Sequence, residues 1–183
     1  MDRKEFFRKA LQFGLASGSV CLLRSNNIFP QSGNEQSKQK SKDHEQIFKE
    51  KWITSLIENI DKQLDEKKKR ELMLSCGRDC ARRGAIHIAE SCNGDVDMLV
   101  EKLERIVGKE NCVRKDDTIQ LTYPKCFCEL VADGPDCLPD TYCICSMGWI
   151  HEMFETVFQR PVKVEALQTI KRGASSCKFS IHI

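Results

Sequence analysis

Between His44 and Leu64 the apolar residues Ile47, Phe48, Trp52, Ile53, Leu56, Ile57, Ile60 and Leu64 recur at helical spacing. That pattern predicts an amphipathic helix with its apolar stripe against a core. The charged stretch "DEKKKRE" interrupts it, and a second helix is predicted from Leu72 to about Cys92. A third helix opens at "GDVD", carries Val96, Leu99, Val100, Leu103 and Val107 on one side, and stops at Gly108. "CVRKDDTIQLTYP" then has the pattern of a short hairpin turning at Asp116-Asp117. The stretch from Cys126 to Cys145 carries no clear period and is predicted as a cysteine-rich loop. Ser146 is placed to cap a fourth helix, with Trp149, Ile150, Met153, Phe154 and Val157 inward, ending before Pro161. The tail predicts two strands around a turn at Gly173. In the last of them Cys177, Phe179, Ile181 and Ile183 alternate with Lys178, Ser180 and His182, the period of a half-buried strand. N-terminal helices followed by a mainly antiparallel sheet with a C-terminal hairpin define an α+β fold class.

The residues before His44 have a different character. "MDRKEFFRKALQFGLASGSVCLLR" places a basic stretch and the Phe6-Phe7 pair ahead of a weakly apolar run of fourteen residues, Ala10 to Leu23. That run is too short and too polar for a membrane span. A charged n-region followed by a short h-region is the layout of an export signal. "DRKEFFRK" resembles the twin-arginine signal, with Arg3-Lys4 in place of two arginines. Residues 1–24 are therefore expected to be a bacterial-type signal peptide, sending the chain to the periplasm or cell envelope. No stable membrane span would remain after its removal. Residues 25–43, "SNNIFPQSGNEQSKQKSKD", are polar and aperiodic and are expected to be a disordered linker. Residues 44–183 then form a single α+β domain.

Charge changes the list of partners. The formal net charge of +2 depends on the N-terminus, because residues 25–183 hold 24 basic and 25 acidic residues. A folded part so nearly neutral has no bulk electrostatic attraction for nucleic acid. Neither a phosphate-cradling glycine loop, a Gly-x-Ser-x-Gly elbow nor a His-Glu-x-x-His helix is present.

Candidate chemistry lies in the eleven cysteines. Cys126/Cys128 and Cys143/Cys145 are two Cys-x-Cys pairs fourteen residues apart, with Cys137 between them. Four thiolates on a loop suit tetrahedral zinc or an iron–sulfur cluster. Disulfides between the pairs, or to Cys112, Cys137 or Cys177, are the second reading, and catalytic thiols the third. "CGRDCARRGAIH" forms another constellation: on one continuous helix Cys76, Cys80 and His87 fall within about 40° of each other. With Trp149 they are a candidate pocket wall or second ligand set. Arg82 and Arg83 are placed to meet a carboxylate. The bland alternative is a small core cysteine and a structural histidine.

The C-terminal third also carries a family resemblance. "CSMGWIHEMFETVFQRPVKVEALQTIKRGASSCKFSI" resembles the C-terminal half of the 4-vinyl reductase-type small-molecule-binding domains. It is even more similar to the L-2-amino-thiazoline-4-carboxylic acid hydrolase-like proteins. The shared elements are a Gly-Trp helix, a Pro-Val strand, and Gly173 four residues before Cys177-x-Phe179. The resemblance implies an α+β fold enclosing a pocket, with cysteines near a bound metal in some relatives. Many 4-vinyl reductase-type domains have a cysteine four residues before the turn glycine, where Thr169 stands here, and this favours the hydrolase-like branch. The resulting expectation is an exported small-molecule-binding module with zinc or iron–sulfur bound by Cys126, Cys128, Cys143 and Cys145 near an apolar pocket. The alternative is a metal-assisted hydrolase of a cyclic C–N bond.

Overall fold

A computed structural model describes residues 34–131 and 138–183, with side chains from His44 onward. The chain divides after Lys38, and residues 39–183 form one unit. Helix α1 spans Asn34–Gln63, so residues 34–43, expected as linker, are helical. Gln, Glu and Lys are good helix formers even without a buried face. The expected signal peptide, 1–24, lies outside the described residues, as do residues 25–33.

Helix α2 spans Glu66–Gly84. It starts six residues earlier than the apolar pattern indicated, because Asp65 caps it by accepting from the Lys68 amide at 3.0 Å. Lys69 in the first turn is buried, with its ammonium 3.1 Å from Asp61 and 2.8 Å from Glu66. The charged break is therefore a helix start. α2 ends at Gly84, and α3 (Ile86–Glu90) follows across Ala85, so the long second helix is in fact two. α4 spans Val96–Val107, with Asp95 accepting from the amides of Asp97 and Met98 and Gly108 at φ 101° ending it. After a 3-10 turn at Lys109–Asn111, β1 (Cys112–Lys115) and β2 (Thr118–Tyr123) form the expected hairpin, in which Lys115 pairs with Thr118. Helix α5 spans Asp140–Phe158. β3 (Lys163–Gln168) and β4 (Cys177–His182) close the sheet.

The sheet order is β1-β2-β4-β3, antiparallel throughout. Its register lines up Val164, Ile181 and Ile119 in one row, and Ala166, Phe179, Leu121 and Cys112 in the next. These residues share a face with α4 and α5, in a core with Leu99, Leu103, Ile150, Met153 and Phe154. Each such side chain contributes about 1.5–3 kcal/mol when fully buried. The α+β architecture is as the sequence indicated, and Cys177 lies buried with Phe179 and Ile181.

α2 crosses α5 at backbone contact. A Cβ on Gly77 would lie 1.9 Å from the Cys145 carbonyl oxygen, and one on Gly148 would lie 2.1 Å from the Leu74 carbonyl oxygen. Only hydrogen fits at either place. The crossing is clamped by charge: Glu152 of α5 accepts from Arg82 Nε at 2.6 Å and Arg78 at 3.0 Å, and Glu155 pairs with Arg78 at 2.7 Å. A second, smaller cluster gathers Ile57, Met73, Val131, Leu138 and Tyr142 beneath α1.

The α1 stripe is only partly covered. Ile57 is buried and Ile53, Ile60 and Leu64 half-buried, whereas Ile47, Phe48, Trp52 and Leu56 are exposed. At 100° per residue, Phe48, Trp52 and Leu56 lie about 110° around the helix from Ile53, Ile57, Ile60 and Leu64. The stripe is two faces, and the described residues cover one.

Candidate functional site

The two Cys-x-Cys pairs approach each other, but not as a metal site. Ser146 does not open the fourth helix; α5 begins at Asp140, so Cys143 and Cys145 sit in its first two turns rather than on a loop. Residues i and i+2 of a helix are about 200° apart, so one atom cannot bond both sulfurs. Cys126 and Cys128 follow β2 in irregular chain and pack in the smaller cluster with Cys143 and Cys145. Cys128 Sγ is 2.8 Å from the Tyr142 hydroxyl. Among the described residues no three Cys, His, Asp or Glu side chains converge where a metal ion could be held. The expected zinc or iron–sulfur centre at Cys126, Cys128, Cys143 and Cys145 is thereby overturned. With it goes the metal-dependent function, both as a binding module and as a metal-assisted hydrolase.

The described cysteines are free thiols, and burial decides their chemistry. It pushes Cys145 up to about 12 and raises Cys143 and Cys177 above the ordinary thiol range. Such groups are protonated at neutral pH and are not ready nucleophiles. Cys137 lies outside the described residues.

The second constellation is dispersed. Cys76 and Cys80 are exposed on α2. His87 is exposed on α3, and the break after Gly84 takes it off the Cys76–Cys80 line. Trp149 is half-buried on α5, with its amide nitrogen against Gly77. Arg82 is engaged by Glu152 and Asp79.

A cavity of about 360 Å³ opens elsewhere, between the first half of α5, β3 and the turn that follows β3. Ligand pockets commonly measure about 300–1,000 Å³. Ile144 and Met147 of α5 and Val164 and Ala166 of β3 give it apolar walls, and Cys143 also lines it. The turn carries the polar contribution. Its backbone is fixed by bonds from Arg172 N and Ala174 N to the Thr169 carbonyl, at 3.1 and 3.2 Å, and from Gly173 N to Ile170 O at 2.8 Å. Gly173 has φ 87°, a conformation other residues rarely adopt. The Ile170 amide donates to Cys177 Sγ at 3.3 Å.

This turn buries Thr169 to 1% exposure, and its hydroxyl has no hydrogen-bond partner. The hydroxyl lies near enough to the Cys143 thiol to offset part of the thiol's burial, but the contact is not a well-formed hydrogen bond. A weak S–H donor at poor geometry leaves the oxygen unsatisfied. A buried hydroxyl in that state costs about 1–3 kcal/mol.

Charge is arranged around the rim. Arg172 Nε is 2.7 Å from Asp140, and Glu165 is 2.6 Å from Lys163. Arg70 of α2 also reaches the rim, and it forms no ion pair among the described residues. The paired charges cancel, and Arg70 supplies the surplus.

Of the residues around this cavity, sequence reasoning singled out only Cys143, and as a metal ligand. Thr169 drew notice only as the residue in place of a family cysteine, Arg70 was hidden in a run of basic residues, and Arg172 was simply a turn neighbour. The fold and the cavity define an α+β domain whose opening lies between a helix and the outer strand of an antiparallel sheet. Residues 30–183 match the model of a family of unknown function, DUF6144, and the chain belongs to that family. No curated protein matches it. No helix among the described residues is long and apolar enough to cross a membrane.

Proposed function

We propose that the protein is a metal-independent binding module for a small, largely apolar molecule with one anionic end, held in the cavity between α5 and β3. The carrying observation is Thr169, which lines the cavity and whose hydroxyl is buried without a hydrogen-bond partner. Buried polar groups are almost always satisfied, so an orphan hydroxyl on a residue that lines a cavity favours an occupant that bonds to it. Ile144, Met147, Val164 and Ala166 would take the apolar body, and Arg70 the anionic end. Resemblance of the C-terminal third to small-molecule-binding domains supports the same reading. The neutral Cys143 thiol fits binding better than covalent chemistry.

The test is a thermal-shift screen of the full chain against short aliphatic and aromatic carboxylates, followed by calorimetric titration of the hits. A ligand is expected whose affinity falls about 5- to 30-fold in Thr169→Val and in Arg70→Gln, one hydrogen bond or ion pair each being worth about 1–2 kcal/mol. Hits indifferent to both substitutions would place binding elsewhere and remove the proposal.

The N-terminal pattern adds a location: we propose that the chain acts after export to the cell envelope. Fractionation of cells carrying the full chain tests this, and retention of the uncleaved chain in the cytoplasm counts against it.

A further inference from the structure

The geometry points to a second copy of this chain as the partner of the outer face of α1, giving a two-fold symmetric dimer by antiparallel helix pairing. Phe48, Trp52 and Leu56 lie at i, i+4 and i+8, and are 63%, 56% and 39% exposed. Three large apolar side chains on successive turns of one helix form a continuous patch, unlike the scattered exposed apolar residues of ordinary surfaces.

Charge selects the occupant. Between His44 and Gln63 the helix holds three lysines and four acids, so it lacks the basic excess of a helix that lies on an anionic membrane. Lys49 is already satisfied by Glu45 at 2.7 Å. Lys51 and Glu58, both exposed, flank the apolar patch on the same side and form no ion pair among the described residues. They are seven residues apart, two turns of helix. In a parallel pair a residue on one flank faces the opposite flank of the partner, so Lys51 and Glu58 would not meet. In an antiparallel pair with the two-fold axis near Ser55, Lys51 meets Glu58 of the second copy, and Glu58 meets its Lys51. The same register sets Trp52 against Leu56 of the second copy. Ser55, small and exposed, lets the helices approach at the axis. The patch is thus self-complementary in shape and charge, as an isologous interface requires.

Sedimentation of the full chain across a concentration series tests the inference, and a reversible dimer is expected. Trp52→Glu should weaken association by about 30-fold or more, the loss typical of a central aromatic anchor. Trp52 is more than half exposed in one copy, so this variant should keep its far-ultraviolet circular dichroism, which separates lost association from lost folding. Lys51→Glu should weaken the dimer several-fold, and Lys51→Glu with Glu58→Lys should restore it. A chain monomeric at all concentrations overturns the inference, and one whose Trp52 is also shielded from aqueous quenchers points to a cover from the same chain instead. A dimer indifferent to Trp52→Glu places the interface elsewhere. Failure of the double reversal to restore association rejects the antiparallel register.

Discussion

Replacing Thr169 by valine exchanges a hydroxyl for a methyl group of nearly equal size. Where the hydroxyl has no partner, the exchange removes a desolvated polar atom without opening a cavity. Thr169→Val is therefore expected to leave the unliganded protein as stable as before, or up to about 1 kcal/mol more stable, by denaturant unfolding. A loss of more than about 1 kcal/mol would mean that the hydroxyl is bonded within the protein. Thiol reactivity belongs to the same scale. Cys76 and Cys80 are exposed, whereas Cys92, Cys112 and Cys177 are buried, and burial pushes Cys112 up to about 12. Native protein treated with a thiol reagent at neutral pH should modify the first two promptly and the last three slowly. Mass mapping of early adducts is the check, and prompt modification at Cys177 would place the last strand in the wrong register.

Contact between elements is most constrained where α2 crosses α5. Gly77→Ala or Gly148→Ala drives a methyl group into a backbone carbonyl of the facing helix, and backbone cannot swing aside as a side chain can. Each substitution should destabilise by about 3 kcal/mol or more, the upper end for overpacking. Unfolding within about 1 kcal/mol of the parent would show that the helices sit farther apart. The same crossing brings a titratable group from α5 toward α2. Burial holds His151 below the ordinary imidazole range, against the opposing pull of Glu155 at 3.1 Å. The folded state thus binds fewer protons than the unfolded chain between the folded value and the usual 6.5. Stability from this group is complete above that usual value and is lost as pH falls through it toward the folded value. His151→Gln should flatten the unfolding temperature over that interval, and an unchanged slope would assign the pH dependence to other groups.

At the level of the whole molecule, prolonged chelation should leave the unfolding temperature unchanged, because no described site closes around a metal. A fall of several degrees, reversed by added zinc, would show that the thiols converge in solution. Much of the architecture was readable from local pattern. Apolar residues every second position gave β4 with the correct face, and Asp116-Asp117 marked the β1–β2 turn. "GDVD" and Gly108 bounded α4 correctly, since a cap and a left-handed stop act within one turn. Pattern failed where local signals competed. Asp65 starts α2 inside what looked like a break, and helix α5 reaches back past Ser146 to Asp140. That extension turned a metal-knuckle spacing into two side chains on opposite sides of a helix.

The sequence by itself determined which residues are apolar and at what period, and so the helices, the parity of the strands and the α+β class. Those properties follow from dihedral preferences and side-chain direction over a few residues. Only the tertiary structure decided what each apolar face meets and which distant groups become neighbours. Periodicity shows that α1 carries apolar residues, but not that its Phe48–Trp52–Leu56 face stays uncovered while its Ile57 face is packed. Spacing shows four cysteines, but their convergence depends on where α5 begins and how it leans on α2 through Gly77 and Gly148. Thr169 is an ordinary polar residue in the chain. It becomes the centre of the candidate site because the turn at Gly173 buries its hydroxyl beside a cavity built from α5 and β3, with no well-formed hydrogen bond from the described residues.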